Sequence, residues 1–190
     1  MPKSITLFNV FLSSPAENHS MSRKLARLLL SPPLYFSYGQ FGVIDRDSDL
    51  HGLYWEERHN SQGFARRDSI ACFRTLAVHG YTDVSVALGP YEPAANYDRV
   101  ISVPFHVRSG IVAVEGPEEV NLVKRNVELA LGNYRLTAAQ QYAAAEGREE
   151  TIDLYFERVD EPLKRSEVLL ADEELNQSIR FWKRPTSPNS

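Results

Sequence analysis

The stretch VELALGNYRLTA, residues 127–138, carries the clearest structural pattern in this chain of 190 residues. Apolar residues alternate with polar or small ones on both sides of Gly132-Asn133. Alternation with a period of two is typical of strands that bury one face. A two-residue connection with glycine first suits a type II′ turn, so this stretch predicts a β-hairpin.

Short apolar or alternating runs of the same kind occur on both sides of this stretch. We expect strands in the runs 34–44, 82–88, 99–107, 110–115 and 152–156. The first of these reads as one strand with a glycine break, and residues 70–78 fit either a strand or a short helix. With turn signals between the runs, the chain is predicted to be mainly β, an antiparallel β-sandwich or open barrel of seven to nine strands.

The two ends of the chain have different patterns. Residues 4–12 predict a strand, and Met21, Leu25, Leu28 and Leu29 form one stripe of a helix that ends at the prolines that follow. We therefore expect one N-terminal helix. Residues 45–68 look polar and irregular, with Trp55 and Phe64 as anchors, and residues 159–176 are acidic and partly helical.

The length favours a single domain, and 43% hydrophobic residues are enough for a substantial core. Within it we distinguish an N-terminal strand and helix extension at 1–33 and a β-sandwich domain at 34–158. An acidic segment and a frayed tail occupy 159–190.

Charge is distributed unevenly along the chain, although the net charge is only −4. Residues 115–174 carry 7 basic and 15 acidic side chains. Such a segment repels a phosphate backbone, which argues against direct nucleic-acid binding. It can attract a basic protein, or it can be a solvated face that keeps the chain soluble.

Motifs for catalysis, cofactors and membranes are missing from the sequence. It has no G-x-S-x-G elbow, H-E-x-x-H pair, glycine-rich phosphate loop or apolar run near the roughly 20 residues of a membrane helix. Its single cysteine, Cys72, excludes an internal disulfide and lies in an apolar setting that predicts a buried, unreactive thiol. We expect a cytoplasmic protein without cofactors.

One loop has partial calcium-site spacing. Asp45, Asp47 and Asp49 match positions 1, 3 and 5 of a calcium loop, and Glu56 matches position 12. Leu50 stands where the sharp turn needs glycine, so we expect a solvated acidic turn without metal. The same loop could bind a basic partner.

Several sequence segments occur together in an order that is informative. They are Ser37-Tyr38-Gly39-Gln40-Phe41-Gly42-Val43, Trp55, Gly63-Phe64-Ala65, Val103-Pro104-Phe105-His106-Val107, Gly110-Ile111, Gly132-Asn133-Tyr134-Arg135-Leu136-Thr137 and Ile152-Asp153-Leu154. Their order and spacing over about residues 34–158 resembles the competence protein J family, small inhibitors encoded beside a DNA-entry nuclease in transforming bacilli.

The resemblance implies a non-enzymatic protein that binds and silences a nuclease, and it brings no catalytic residues. A related role is an immunity protein against a secreted nuclease toxin. An inhibitor can place carboxylates where the nuclease grips phosphates. The residues expected at the contact are Asp45, Asp47, Asp49, Trp55, Glu56, Glu57, Glu149, Glu150 and Asp153, with Glu146 and Glu157 as further acidic candidates.

Two other classes of function stay open from the residues alone. Aromatic side chains on a sheet face would suit a module that binds a carbohydrate or another small ligand. A hydrolase is the other alternative, since paired carboxylates can come from distant positions. The adjacent pairs Glu118-Glu119 and Glu149-Glu150 are poor candidates, because neighbours on a strand point to opposite faces.

Overall fold

A computed structural model describes residues 26–48, 53–94, 96–119, 125–143 and 146–175. These residues contain twelve strands, one short α-helix, α1 (Glu57–Gln62), and further helical residues at 173–175. The strands are β1 (Arg27–Leu29), β2 (Leu34–Phe36), β3 (Gln40–Asp45), β4 (Phe64–Arg67), β5 (Ile70–Arg74), β6 (Gly80–Leu88), β7 (Arg99–Val107), β8 (Ile111–Glu115), β9 (Asn126–Glu128), β10 (Gly132–Tyr142), β11 (Glu150–Val159) and β12 (Glu167–Leu170).

The strands form two sheets. The larger sheet has the order β1-β6-β11-β10-β7-β12, with β2 also paired to β6, and the smaller sheet has the order β4-β5-β3-β8-β9. Every pair is antiparallel except β6 with β11, which is parallel. The mainly β prediction is confirmed, whereas the described strands outnumber the seven to nine expected and one pair breaks the antiparallel rule.

Both sheets contribute to one buried apolar cluster. Phe41 and Phe73 of the smaller sheet belong to it together with Phe105, Leu136 and Phe156 of the larger sheet. Alternate residues of each strand point into this cluster, which explains why the period-two pattern located β6, β7, β8 and β11. Cys72 lies between the core residues Ala71 and Phe73 and is only partly buried, less than predicted, but burial still raises the pKa of its thiol to about 11.

The predicted hairpin at residues 127–138 is wrong. β9 pairs with β8 in the smaller sheet, whereas β10 pairs with β7 and β11 in the larger sheet. Gly132 already belongs to β10 and pairs with Val107 of β7, so the chain crosses from the smaller sheet to the larger one at residues 129–131. Alternation was retained on both sides because both strands face the same core.

The single strand predicted at 34–44 is also wrong. β2 pairs with β6 in the larger sheet, and β3 pairs with β5 and β8 in the smaller sheet. A tight turn at residues 37–40 separates them. The glycine break therefore marks a change of sheet and not a bulge.

Other local predictions have mixed outcomes. Residues 27–29 of the predicted N-terminal helix form strand β1, while the rest of that helix and the strand at 4–12 lie outside the described residues, as does the tail at 184–190. Residues 70–74 are a strand, and the region 45–68 contains α1 and β4, both missed. The acidic segment is helical at 173–175 as expected in part, but it also forms strand β12.

None of the helices within the described ranges has the length and apolar character required to cross a membrane.

Candidate partner-binding surface

A tight turn between β2 and β3 displays a tyrosine in an unusual backbone conformation. The Gln40 N–H donates to the Ser37 carbonyl oxygen at 3.3 Å, and the φ angles of Tyr38 and Gly39 are 56° and 63°. A non-glycine residue in this left-handed region costs about 1–2 kcal/mol. The Tyr38 side chain is 77% exposed, so the turn holds an aromatic ring in solvent at a conformational cost.

This turn is pinned to the segment that follows β5. The Gly39 N–H donates to the Val78 carbonyl oxygen at 2.6 Å, and the Thr75 N–H donates to the Gly39 carbonyl oxygen at 2.9 Å. Val78 is itself 71% exposed. Tyr38 and Val78 therefore project from one rigid unit of backbone.

An open cleft of about 800 Å³ lies beside this unit. It is lined by Gly39, residues 74–78, Asp98, Tyr142 and residues 171–174. Tyr142 is 53% exposed and contributes a second tyrosine to the surface. We call this the acidic cleft, because its lining includes the carboxylates Asp98, Asp172, Glu173 and Glu174 against one basic side chain, Arg74.

The carboxylates of the acidic cleft differ in their partners. Asp98 accepts the Tyr142 N–H at 2.9 Å, and Glu174 forms an ion pair with Arg74. In the described part of the chain, Glu173 has neither a hydrogen bond nor an ion pair. It is exposed, so its charge is available to an incoming cation.

A buried arginine joins the two walls of the cleft. The Arg99 side chain is 0% exposed and pairs with the Asp172 carboxylate at 2.6 Å. It also donates to the carbonyl oxygens of Arg74 at 3.1 Å and Thr75 at 3.2 Å. Because one guanidinium contacts both segments, the 171–174 wall is fixed relative to the 74–78 wall.

The buried carboxyl group of Glu150 holds one wall of the cleft in place. Glu150 Oε2 accepts the Leu76 N–H at 2.6 Å. Burial raises the pKa of Glu150 to about 7, although the Leu76 hydrogen bond and the charge of Arg99 act in the opposite direction. Gln140 Nε2 adds a hydrogen bond to the Arg74 carbonyl oxygen at 2.9 Å. Side chains of two neighbouring strands, β10 and β11, thus hold residues 74–78 by hydrogen bonds.

Two of the acidic residues predicted for the contact prove to be buried. Asp45 is 0% exposed, and its carboxylate accepts backbone N–H groups from Asp47, Arg108 and Ser109 at 3.1, 2.8 and 3.0 Å. Glu150 is also 0% exposed. Neither can touch a partner directly, so both predictions are wrong: these carboxylates organise loops.

The remaining residues of the predicted acidic loop do not form a cluster with Asp45. Asp47 is exposed, and Asp49 lies outside the described residues. Over the ranges that the structure describes, no group of three or more His, Cys, Asp or Glu side chains could hold a metal ion.

Trp55, Glu56 and Glu57 lie at the start of α1. Trp55 is half-buried and its ring meets His59 edge-on, with centroids 6.3 Å apart. Glu56 pairs with Arg58 at 2.8 Å, and both glutamates are exposed. They stay candidates for a contact separate from the acidic cleft.

The predicted residues on β11 and just before it have three different environments. Glu149 is exposed, Glu150 is buried below the cleft, and Asp153 is partly buried on the opposite face from the core residues Ile152 and Leu154.

Asp153 belongs to a network on the outer face of the larger sheet. It pairs with Arg27 at 2.5 Å, accepts the Tyr97 hydroxyl at 2.5 Å and accepts a hydrogen bond from Ser85. Burial, together with the hydrogen bond to the Asp153 carboxylate, raises the pKa of Tyr97. Because Asp153 is already paired with a cation, little of its charge is left for a partner.

The further candidates also lie apart. Glu146 is exposed, and Glu157 pairs with Arg135 at 3.2 Å. The residues that the structure does bring together are Asp98, Asp172, Glu173, Glu174, Tyr38 and Tyr142, and none of them is among the predicted contact residues. The available signal was the run of three consecutive acids at 172–174, in a segment that the sequence predicts only to be acidic and partly helical.

The fold and the cleft define a two-sheet β protein with an open, acidic surface bordered by exposed tyrosines. The chain belongs to the competence protein J family, whose model matches residues 33–157. Tyr38, Asp98, Arg99, Tyr142 and Glu150 lie inside the matched region, whereas the acidic wall at 171–174 lies outside it.

Individual relatives agree with this assignment. The chain is 27% identical over 104 residues to the DNA-entry nuclease inhibitor of Bacillus subtilis (strain 168). This alignment covers 55% of this chain and 76% of that protein. The crystal structure of ComJ from Bacillus subtilis, described as an inhibitor of the DNA-degrading activity of NucA, aligns with a TM-score of 0.57 and 22% identity. That alignment covers 70% of this chain and 96% of ComJ, and it supports the fold.

Proposed function

We propose that this protein is an inhibitor of a DNA-degrading nuclease and that it acts by docking the acidic cleft and the Tyr38 turn against the nuclease. The observation that carries the proposal is its membership of the competence protein J family, together with a curated relative named as a DNA-entry nuclease inhibitor. An immunity protein against a nuclease toxin would use the same surface.

The charges of the cleft suit such a partner. A nuclease binds the phosphates of DNA through clustered lysine and arginine side chains. Glu173 and the carboxylates around it offer negative charge without a bond that the nuclease can cleave. Complementary charge of this kind speeds encounter and selects the partner.

The exposed tyrosines supply the second component of a protein interface. Tyrosine is enriched among the residues that dominate binding energy, because it buries a large area with few rotamers to fix. Tyr38 is held in place by hydrogen bonds on both sides of Gly39, so little ordering is needed on binding. We therefore assign Tyr38 the central place in the contact.

The part of the chain that matches the family and the segment beyond it have different roles in this proposal. We infer that residues 34–158 form a β-sandwich, since both sheets feed one core and Gly116 after β8 lies against Tyr35 of β2. Residues 171–174, beyond the family match, add an acidic wall to this common module. On this view the extension adjusts the choice of nuclease, while a non-catalytic role and a cytoplasmic location stay predictions.

A DNA-degradation assay tests the proposal. Purified protein is titrated into NucA and, separately, into a second nuclease, one encoded beside this gene where the genome has one, and intact DNA is measured after a fixed time. We expect degradation by at least one nuclease to stop at molar ratios near equivalence, and the protein alone to leave DNA intact. Unchanged degradation by both nucleases at a large molar excess would falsify the proposal.

A further inference from the structure

A second cavity, of about 390 Å³, lies where β4, β7 and β10 meet the segment after β11. Three of the sequence segments that carry the family resemblance converge here. Arg66 directly follows the first segment, His106 belongs to the second and Asn133 to the third. β7 and β10 place His106 and Asn133 opposite each other in register. The acidic cleft does not involve these residues.

Two guanidinium groups line this cavity with little neutralising charge. Arg66 Nε donates to the Ser166 hydroxyl at 3.0 Å, and across the described ranges it has no carboxylate partner. Arg108 lies 3.8 Å from the Asp68 carboxylate, and their side chains are 53% and 80% exposed. An ion pair this long and exposed is worth little, so Arg108 stays available to another anion.

A histidine with a fixed ring completes the set of polar groups. His106 Nδ1 lies 2.7 Å from Asn133 Oδ1. Because an amide oxygen only accepts, Nδ1 carries the hydrogen of this bond. The His106 N–H also donates to the Asp68 carbonyl oxygen at 2.6 Å, which fixes the backbone at this point. Within the described part of the chain, the second ring nitrogen, Nε2, has no hydrogen-bond partner.

Apart from the Asp68 carboxylate and Tyr134, the rest of the lining is apolar, with Pro104, Pro162 and Leu163 among its members. Lys164 and Arg165 follow directly and line a neighbouring depression that shares Leu163. The cavity is therefore positive at one side and apolar at another, in a chain whose net charge is −4.

We propose that this cavity binds a small phosphate monoester, with Arg66 and Arg108 holding the phosphate. A guanidinium matches phosphate oxygens in a two-point geometry, and a terminal phosphate offers enough oxygens for both arginines. The volume exceeds what a bare phosphate needs, and the apolar side provides a surface for the organic group of the ester. The proposal does not depend on nuclease inhibition.

Isothermal titration calorimetry on the full chain tests it with inorganic phosphate and a nucleoside 5′-monophosphate. We expect saturable binding of both, with the nucleotide tighter. Arg66→Gln and Arg108→Gln should each weaken binding about tenfold, the loss of a hydrogen bond to a charged group. Arg158→Gln, an exposed arginine outside this cavity, is the matched control and should bind as the unchanged protein does.

Three results would overturn the proposal. They are the absence of saturable binding, equal affinity in the two cavity variants and the control, and inorganic phosphate binding as tightly as the nucleotide, which would leave the ester without a role. Thermal unfolding of each variant shows that the fold is intact, since Arg66 and Arg108 lie at the surface.

Discussion

Buried charged side chains organise the loops of this protein, and each has partners that are distant in sequence. Asp45 accepts N–H groups from residues 108 and 109, Arg99 pairs with Asp172, and Glu150 accepts the Leu76 N–H. Nothing in the composition around these residues distinguishes them from exposed charges. Their role follows from the strands that surround them.

Replacement of Asp45 by alanine should destabilise the fold strongly. The change leaves three backbone N–H groups without their acceptor, and each unmet buried donor costs about 1–3 kcal/mol. We expect chemical denaturation to show a loss of at least ~3 kcal/mol. Asp47→Ala, at an exposed position in the same loop, should change stability by less than about 0.5 kcal/mol. Equal effects at the two sites would refute the structural role of Asp45.

Glu150 should make stability fall as pH rises. Its pKa is raised to about 7, so between its ordinary value near 4.5 and about 7 the folded chain holds a proton that the unfolded chain has released. The stabilising contribution is full below pH 4.5 and is lost as pH approaches 7, by about 3 kcal/mol for a shift of this size.

Denaturation of Glu150→Gln and the unchanged protein at pH 4.5, 6 and 8 isolates this contribution. Glutamine keeps an oxygen for the Leu76 N–H but does not titrate. We expect the variant to gain relative stability as pH rises across this window. A constant difference between the two proteins at all three pH values would contradict the assignment.

At the scale of elements, the architecture of this molecule depends on connections in which the chain passes from one sheet to the other. Period-two alternation located β6, β7, β8 and β11, because it reports that one face of a strand is buried. It does not report which strand lies alongside, so the sequence alone predicts a glycine break and a hairpin for the connections at 37–40 and 129–131. α1 and β4 were missed because they are short and lie in a polar stretch. Pairing depends on contacts between distant residues, which a local pattern does not contain.

A substitution at Tyr38 should weaken binding to the nuclease while the free energy of unfolding changes little. Tyr38→Gly relieves the positive φ but adds freedom to the unfolded chain, so the free energy of unfolding should change by less than about 1 kcal/mol. Affinity for the inhibited nuclease should fall at least tenfold, about 1.4 kcal/mol.

Tyr54→Gly is the matched control, since Tyr54 is also 77% exposed but belongs to the segment before α1 and not to the turn between β2 and β3. Calorimetric titration of the nuclease measures both variants. If Tyr54→Gly loses affinity and Tyr38→Gly does not, the contact lies at the start of α1 instead.

A glycine at the end of β8 should be essential to the approach of the two sheets. A Cβ at Gly116 would lie 1.9 Å from the Tyr35 carbonyl oxygen, whereas one at Gly147 has no neighbour within 4 Å. We expect Gly116→Ala to lower the free energy of unfolding by at least ~2 kcal/mol through overpacking. Gly147→Ala should cost only the ~1 kcal/mol of its positive φ. Similar losses in the two variants would argue against close contact between β2 and β8.

At the scale of the whole molecule, the distribution of charge was partly predictable. The acidic excess of residues 115–174 is visible in sequence, and its last acids do form one wall of the cleft. The other wall comes from residues near 75 and 98, and folding neutralises several acids, such as Asp153 and Glu157. Only the fold shows which carboxylates stay available. Glu173 is therefore a better probe of the contact than Asp45 or Glu150.

The rate of association with the inhibited nuclease, measured by stopped flow at low and high salt, tests the docking model most directly. Glu173→Lys reverses an exposed charge in the acidic cleft, and Glu161→Lys reverses an exposed charge outside it. Electrostatic steering predicts association about tenfold slower for Glu173→Lys at low salt, a weaker dependence on salt, and little change for Glu161→Lys. Association of Glu173→Lys at the unchanged rate, with the same salt dependence, would contradict docking through the acidic cleft.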